Sequence, residues 1–345
     1  MRVLLDATYA ARAPHSGTGV YIDQLARALM RVDGVELETV ANRNRRRPAG
    51  GGLGSARNLI SDWWWTAREL PRMARRSKAD LLHHPLPARV PSSPVAQVIT
   101  VHDLAFERLP EHFNRRFRAY AHRTHRAAAL SADAVLCVSE TTAADVRDLW
   151  GVSDQRIVVA PHGPGQQLAQ PPAATADRVH FLYVGDAEPR KNLDTLVAAY
   201  ERYRERSPQP LPLVLAGSAA VDAPGVTIVA DPGAGRLGDL YAAAAALIQP
   251  SLYEGFGLTA LEAMSAGTPV IASDVPGLRE ICGHAAAYID PHHPESLARA
   301  MARLADEPAR RAELAELGLR RAAEFTWDSC ARAHVAAYSL ALSDR

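Results

Sequence analysis

The chain has 345 residues, 48% of them hydrophobic and 22% charged, with a net charge of +1. These are ordinary globular proportions, which exclude a disordered or fibrous chain, and the length exceeds what one core usually supports, so two domains are expected. No apolar run reaches the ~18 residues of a membrane-spanning helix, so none is expected.

The near-neutral total conceals a division. Residues 1–170 carry 23 Lys+Arg against 16 Asp+Glu, and residues 171–345 carry 16 against 22. The first half is the side expected to meet an anionic partner. The acidic second half, with no RNA- or DNA-binding motif, argues against nucleic acid. Only two of the 39 basic residues are lysines, Lys78 and Lys191, so lysine is informative where it occurs. The opening Met1-Arg-Val-Leu-Leu-Asp meets a charge too early for a signal peptide. Cys137, Cys282 and Cys330 are odd in number and widely spaced, which reads as free buried thiols in a reducing compartment. The expected location is the cytoplasm, with contact at the inner face of the plasma membrane left open.

From the N-terminus, short β-branched runs at 2–7, 36–41, 79–83, 95–101, 134–139 and 156–161 predict strands. Helical patterns at 20–31, 57–76, 113–131 and 141–150 lie between them. This alternation predicts an α/β doubly wound parallel sheet. Ser16-Gly-Thr-Gly-Val-Tyr21 puts Gly17 and Gly19 in a loop after the first strand, either a plain turn or a close backbone approach to a ligand. It lacks the third glycine of a dinucleotide fingerprint. The stretch 42–54 reads as a basic loop running into 61–76, where Trp63, Trp64 and Trp65 stand beside arginines. That combination suits core packing, an acceptor platform or a membrane-interface patch. His102 and Asp103 end the fourth strand. Ser139 and Glu140 end the next, and read as well as a helix N-cap.

The aperiodic run PGQQLAQPPAATAD at 164–177 reads as a linker. Strands are then predicted at 179–184, 212–216, 226–230, 246–250, 269–273 and 286–289, with helices at 192–206, 236–244, 258–266, 295–306 and 309–325. The second run opens with Gly185-Asp-Ala-Glu-Pro-Arg190-Lys191, a strand end followed by two cations beside a helix start, suited to a diphosphate unless they are a solvated surface pair. Further on, Ser251-Leu-Tyr-Glu-Gly-Phe-Gly-Leu-Thr-Ala-Leu-Glu262 places Glu254 before a glycine-broken aromatic and Glu262 inside the following helix. Amides and dipole at that helix start attract an anion. The stretch fits a ligand with a negative middle and hydroxyls at both ends. No Asp-x-Asp triplet occurs, so no metal bridge is expected.

These segments resemble the retaining GT-B glycosyltransferases of family 4, in particular the mannosyltransferase-like branch. The resemblance rests on GDAEPRKN, LVLAG at 213–217, the stretch 240–291 and FTWDSCA at 325–331. It is joined in the first half by LLDAT, SGTGVY, VHDLAFERLPEHF, VSETT and APHG. It implies a GT-B fold, two Rossmann-like domains facing across a cleft. The divisions expected are an acceptor-side domain at 1–165, a linker at 166–178, a donor domain at 179–327 and a C-terminal helix at 328–345 packing back on the first domain. Carried over residue by residue, Glu254 would bind donor-sugar hydroxyls and Glu262 the ribose. Arg190 and Lys191 would hold the diphosphate beside Gly185, Gly255, Phe256, Gly257 and Leu258, with Gly17 and Gly19 near the phosphate or acceptor. The base would meet the backbone around Ala230. His102, with Asp103, would orient the sugar, and Ser139 and Glu140 would line the acceptor side. Position 259 is Thr where the family usually has Pro.

The implied reaction moves a hexose, mannose or a related deoxyhexose, from a nucleotide diphosphate sugar (GDP favoured) to a saccharide, lipid-linked or small-molecule acceptor, with no separate cofactor. Two other readings remain: a nucleotide-sugar epimerase of the same shape, for which no acid–base set is found, and a non-catalytic sugar-nucleotide-binding partner.

Overall fold

The computed structural model describes residues 1–43, 58, 61–91, 93–165, 178–219 and 221–343. Nearly all of the predicted linker and most of the predicted basic loop lie outside the described residues. The chain forms two compact units, Met1–Glu107 with Phe113–Gly163 and Trp327–Arg345, and Arg108–His112 with Pro164–Thr326.

The first unit holds a sheet in the order β2-β1-β3-β4-β5-β6. Its strands are β1 Arg2–Asp6, β2 Glu36–Val40, β3 Leu81–His84, β4 Ala96–Val101, β5 Ala134–Cys137 and β6 Ile157–Val159, all parallel. The central strands β3, β4 and β5 are buried at every position, as a sheet covered on both faces requires. Alternation sorts the two faces. Val3, Leu5, Leu81, Val98 and Leu136 meet helix Gly17–Leu29 and the last helix, Trp327–Ser343. Leu4 and Leu82 meet helix Leu70–Arg76, while Ile99, Val101 and Val135 meet helices Arg115–Ser131 and Glu140–Trp150.

The last helix is tied down by a buried polar chain. Tyr21 OH lies 2.8 Å from Thr100 Oγ1 and 2.8 Å from His334 Nε2. His83 Nε2 reaches the same threonine at 2.9 Å, and Tyr338 OH lies 2.9 Å from His83 Nδ1. His162 stacks between Tyr21 and Trp327, at centroid distances of 4.6 and 5.6 Å.

The second unit holds β7 His180–Val184, β8 Leu213–Ala216, β9 Val226–Val229, β10 Ala244–Gln249, β11 Val270–Ser273 and β12 Ala286–Ile289, in the order β12-β11-β10-β7-β8-β9, also parallel. Helices Leu193–Arg206 and Pro294–Asp306 supply Leu196, Tyr200, Leu297 and Met301 to its core.

All twelve predicted strands are present, with ends shifted by up to two residues. One reading is corrected, and two features are added. Gly17 and Gly19 do not form a loop; they open helix Gly17–Leu29, because Ser16 caps it by accepting from Gly19 N at 3.1 Å. Gly19 is needed for packing, since a Cβ there would lie 2.0 Å from the carbonyl oxygen of Ala13. Helix Pro276–Cys282 was not foreseen. The three tryptophans part company: Trp65 is buried and donates to Asp6 Oδ2 at 3.0 Å, within a π-helical turn Trp65–Glu69, while Trp63 and Trp64 are exposed.

Candidate active site

The strongest cluster sits at the C-terminal ends of β7 and β10, adjacent strands of the second sheet, where ligands of open α/β sheets bind. After β7 the chain passes Gly185, at φ +149°, and makes a 3₁₀ turn, Pro189–Lys191, closed by Asn192 in the left-handed region. Asn192 Nδ2 donates to the carbonyls of Pro250 at 3.0 Å and Pro291 at 2.7 Å, and Leu252 N donates to Arg190 O at 2.9 Å. These bonds lace the cationic turn to the loop after β10.

Glu254 stands in that loop, 7% exposed. Its Oε1 accepts three bonds, from Lys191 Nζ at 2.5 Å, Gln249 Nε2 at 2.8 Å and Ser251 Oγ at 2.8 Å. Its Oε2 lies 3.6 Å from Arg190 Nη1, while Arg190 Nε donates to Glu188 Oε2 at 2.8 Å. Burial alone pushes this carboxyl up. The charges of Lys191 and Arg190 and the bonds from Lys191 and Ser251 outweigh it, leaving the pKa at about 2. Glu254 is thus an ionised, buried acceptor.

Gly257, at φ +96°, is the N-cap of helix Leu258–Ser265. L-residues avoid that backbone region, so glycine is required. Gly255 and Phe256 are buried, with Phe256 edge-on to Phe325 at 6.1 Å. Glu262 follows one turn into the helix, 5% exposed, and its Oε2 accepts from the buried Tyr241 OH at 2.9 Å. Burial first, then the Glu262 charge, drives the Tyr241 pKa far up, so Tyr241 remains a donor. The structure therefore gathers Gly185, Arg190, Lys191, Glu254, Gly255, Phe256, Gly257, Leu258 and Glu262 around two strand ends. Ala230 is separate, exposed beyond the edge strand β9.

In the first unit, His102 follows β4, and its Nε2 lies 2.9 Å from Pro85 O, an acceptor that makes this nitrogen the N–H. Burial pulls its pKa down, although Pro85 and Asp103 act the other way. Asp103 Oδ1 accepts from Ala105 N at 3.0 Å. Ser139 caps helix Glu140–Trp150 by accepting from Thr142 N at 3.0 Å.

Several partners escaped sequence reasoning. Ser251 opens the quoted stretch without having been given a role, Gln249 lies two residues before it, and the glutamine ending an apolar strand, Ala-Ala-Ala-Leu-Ile-Gln249, was the available signal. Tyr241 has none, being 21 residues from Glu262. Gly277 is required because a Cβ there would lie 2.0 Å from Glu254 O.

Comparison with known proteins shows the family. A family described as "Glycosyltransferase Family 4" matches residues 15–164, and one described as "Glycosyl transferases group 1" matches residues 166–321. The O-antigen chain mannosyltransferase B of Escherichia coli is 30% identical over 77% of this chain and 76% of its own length. The MMP alpha-(1->4)-mannosyltransferase of Mycolicibacterium hassiacum is 32% identical over 61% of this chain, and the match spans 54% of that relative. Among solved structures, sucrose-phosphate synthase from Thermosynechococcus elongatus superposes with a TM-score of 0.78 at 21% identity, over all of both chains.

Proposed function

The chain belongs to the retaining GT-B glycosyltransferases of family 4, and from that membership we propose that it transfers a hexose, mannose first among the candidates, from a GDP-sugar to a saccharide or lipid-linked acceptor. Two relatives bearing mannosyltransferase names support the sugar. The observation that carries the donor-site reading is the Glu254 carboxylate. It is buried and ionised, with three donors on one oxygen and the other turned toward Arg190.

In this reading Glu254 Oε2 accepts hydroxyl protons of the donor sugar, and Glu262 accepts from the ribose. Arg190, Lys191 and the amides of Gly257 and Leu258 hold the diphosphate and stabilise the charge that develops as it departs. Both cations face carboxylates, so an incoming diphosphate competes with Glu188 and Glu254 for them. The acceptor oxygen forms its bond to the anomeric carbon as the bond to the diphosphate breaks. A leaving phosphate oxygen takes the acceptor's proton, on the same face, so configuration is retained. His102 keeps the sugar-orienting role that the resemblance implies.

A lipid-linked acceptor draws support from one surface. Helix Arg115–Ser131 carries five arginines and no carboxylate, with Tyr120 53% exposed. It covers the same sheet face as helix Leu70–Arg76, beside which Trp63 (61%) and Trp64 (49%) are exposed. Arginine with interfacial aromatics suits an anionic bilayer, and we read this layer as a peripheral membrane contact.

The test supplies radiolabelled GDP-mannose and UDP-glucose to the protein with a lipid-linked saccharide fraction and with soluble saccharides. Label transferred into an α-linked product supports the reading. Label that stays on the nucleotide with every acceptor overturns it.

A further inference from the structure

We propose that Thr259 and Gln249 are positioning residues that set the Glu254 carboxylate, and through it the grip on the donor sugar; this rests on the reading of Glu254 as the sugar-binding carboxylate.

The chain of bonds runs in one direction. Glu254 is ionised and can only accept, so Gln249, whose Nε2 lies 2.8 Å from Glu254 Oε1, must present its NH₂ there. Its carbonyl Oε1 is thereby turned to Thr259 Oγ1 at 2.6 Å, and that hydroxyl must donate. Chemistry alone fixes the orientation of the amide. Gln249 is 5% exposed at the end of an otherwise apolar strand, where an amide is tolerated only when its polar ends are bonded.

Thr259 is the second residue of helix Leu258–Ser265, the position where the family resemblance calls for proline. Proline has neither hydroxyl nor amide hydrogen, so it could not hold the Gln249 carbonyl. The departure and the buried glutamine therefore belong together. With Lys191 and Ser251, Gln249 completes the three donors on Glu254 Oε1, which leaves Oε2 as the oxygen aimed at the ligand. Without the threonine hydroxyl, the amide can turn its carbonyl toward Glu254, and the repulsion between the two oxygens would swing the carboxylate.

The experiment measures dissociation constants calorimetrically for GDP-mannose and GDP, or UDP-glucose and UDP, whichever diphosphate the wild type prefers. Variants are Thr259→Val, Thr259→Ser and Gln249→Met, each checked for wild-type thermal stability. The ratio of sugar-nucleotide to diphosphate constants should rise about tenfold in Thr259→Val and Gln249→Met. The diphosphate constant itself should stay within about twofold, and Thr259→Ser should keep the wild-type ratio because it keeps the hydroxyl. An unchanged ratio in the valine variant, or equal loss in the serine variant, overturns the relay while leaving the donor site intact. Failure of the wild type to bind GDP, UDP, ADP or dTDP overturns the donor-site reading itself, and the relay with it.

Discussion

The two units differ in their largest buried polar clusters. In the first these groups are chiefly imidazoles: His83, His84, His162 and His334 are buried and His102 and His125 half-buried, all held below the ordinary histidine range by burial first, His334 at about 4. Tyr21 and Tyr338 join them and are driven upward, again by burial. The second unit instead buries charge, setting Glu254 against Lys191 and Arg190. Neutral networks stiffen a scaffold cheaply, whereas buried charge costs desolvation and is kept where a ligand needs it. On the proposed donor-site reading, the contrast separates scaffold from site.

The sharpest way to break this comparison is Glu254→Ala. It strands the cations and should cost the second unit about 3 kcal/mol, read by urea unfolding, and lower transfer ~100-fold or more. Near-wild-type transfer would place the charged cluster among structural ion pairs.

Acid should tell the units apart. The histidine values are depressed on folding, so their stabilisation is complete above ~6.5 and is lost as pH falls through that value toward the folded ones. The Glu254 value of about 2 is also depressed, and its stabilisation holds down to ~4.5 before being lost. Among the described residues of the second unit, His180 is the counterpart to the histidines, buried and also lowered by burial. Hydrogen exchange between pH 7 and 5 should therefore show the first unit loosening before the second. Simultaneous loss would erase the distinction.

A smaller effect is expected at Tyr241→Phe. Losing its bond to Glu262 should cut discrimination between GDP and 2′-deoxy-GDP by roughly five- to tenfold, with the melting temperature little moved. Smaller still, Glu188→Gln relieves Arg190 of an exposed partner and should tighten GDP binding about two- to threefold, an effect that fades in high salt.

The architecture was legible because hydrophobic period survives in a single sequence: short apolar runs, most of them with β-branched residues, marked the strands. Helix Pro276–Cys282 was not, since a seven-residue segment opening Pro-Gly is too short to show a helical period. The helix start at Gly17 was obscured because glycine argues against helix, although the Ser16 cap overrides it. Site residues within one loop, Glu254 through Leu258, were visible from spacing. Tyr241 and Gly277 were not, because they reach the site only once separate strands are paired.

The most direct test of the donor site is thermal-shift titration with GDP, UDP, ADP and dTDP of the wild type, Glu262→Ala and Arg190→Ala. One diphosphate at 100 times its dissociation constant should add about 2.7 kcal/mol to the wild type, and both variants should lose that response. No response to any diphosphate at millimolar concentration, or an undiminished response in both variants, would contradict the assignment of these residues to a nucleotide-sugar site.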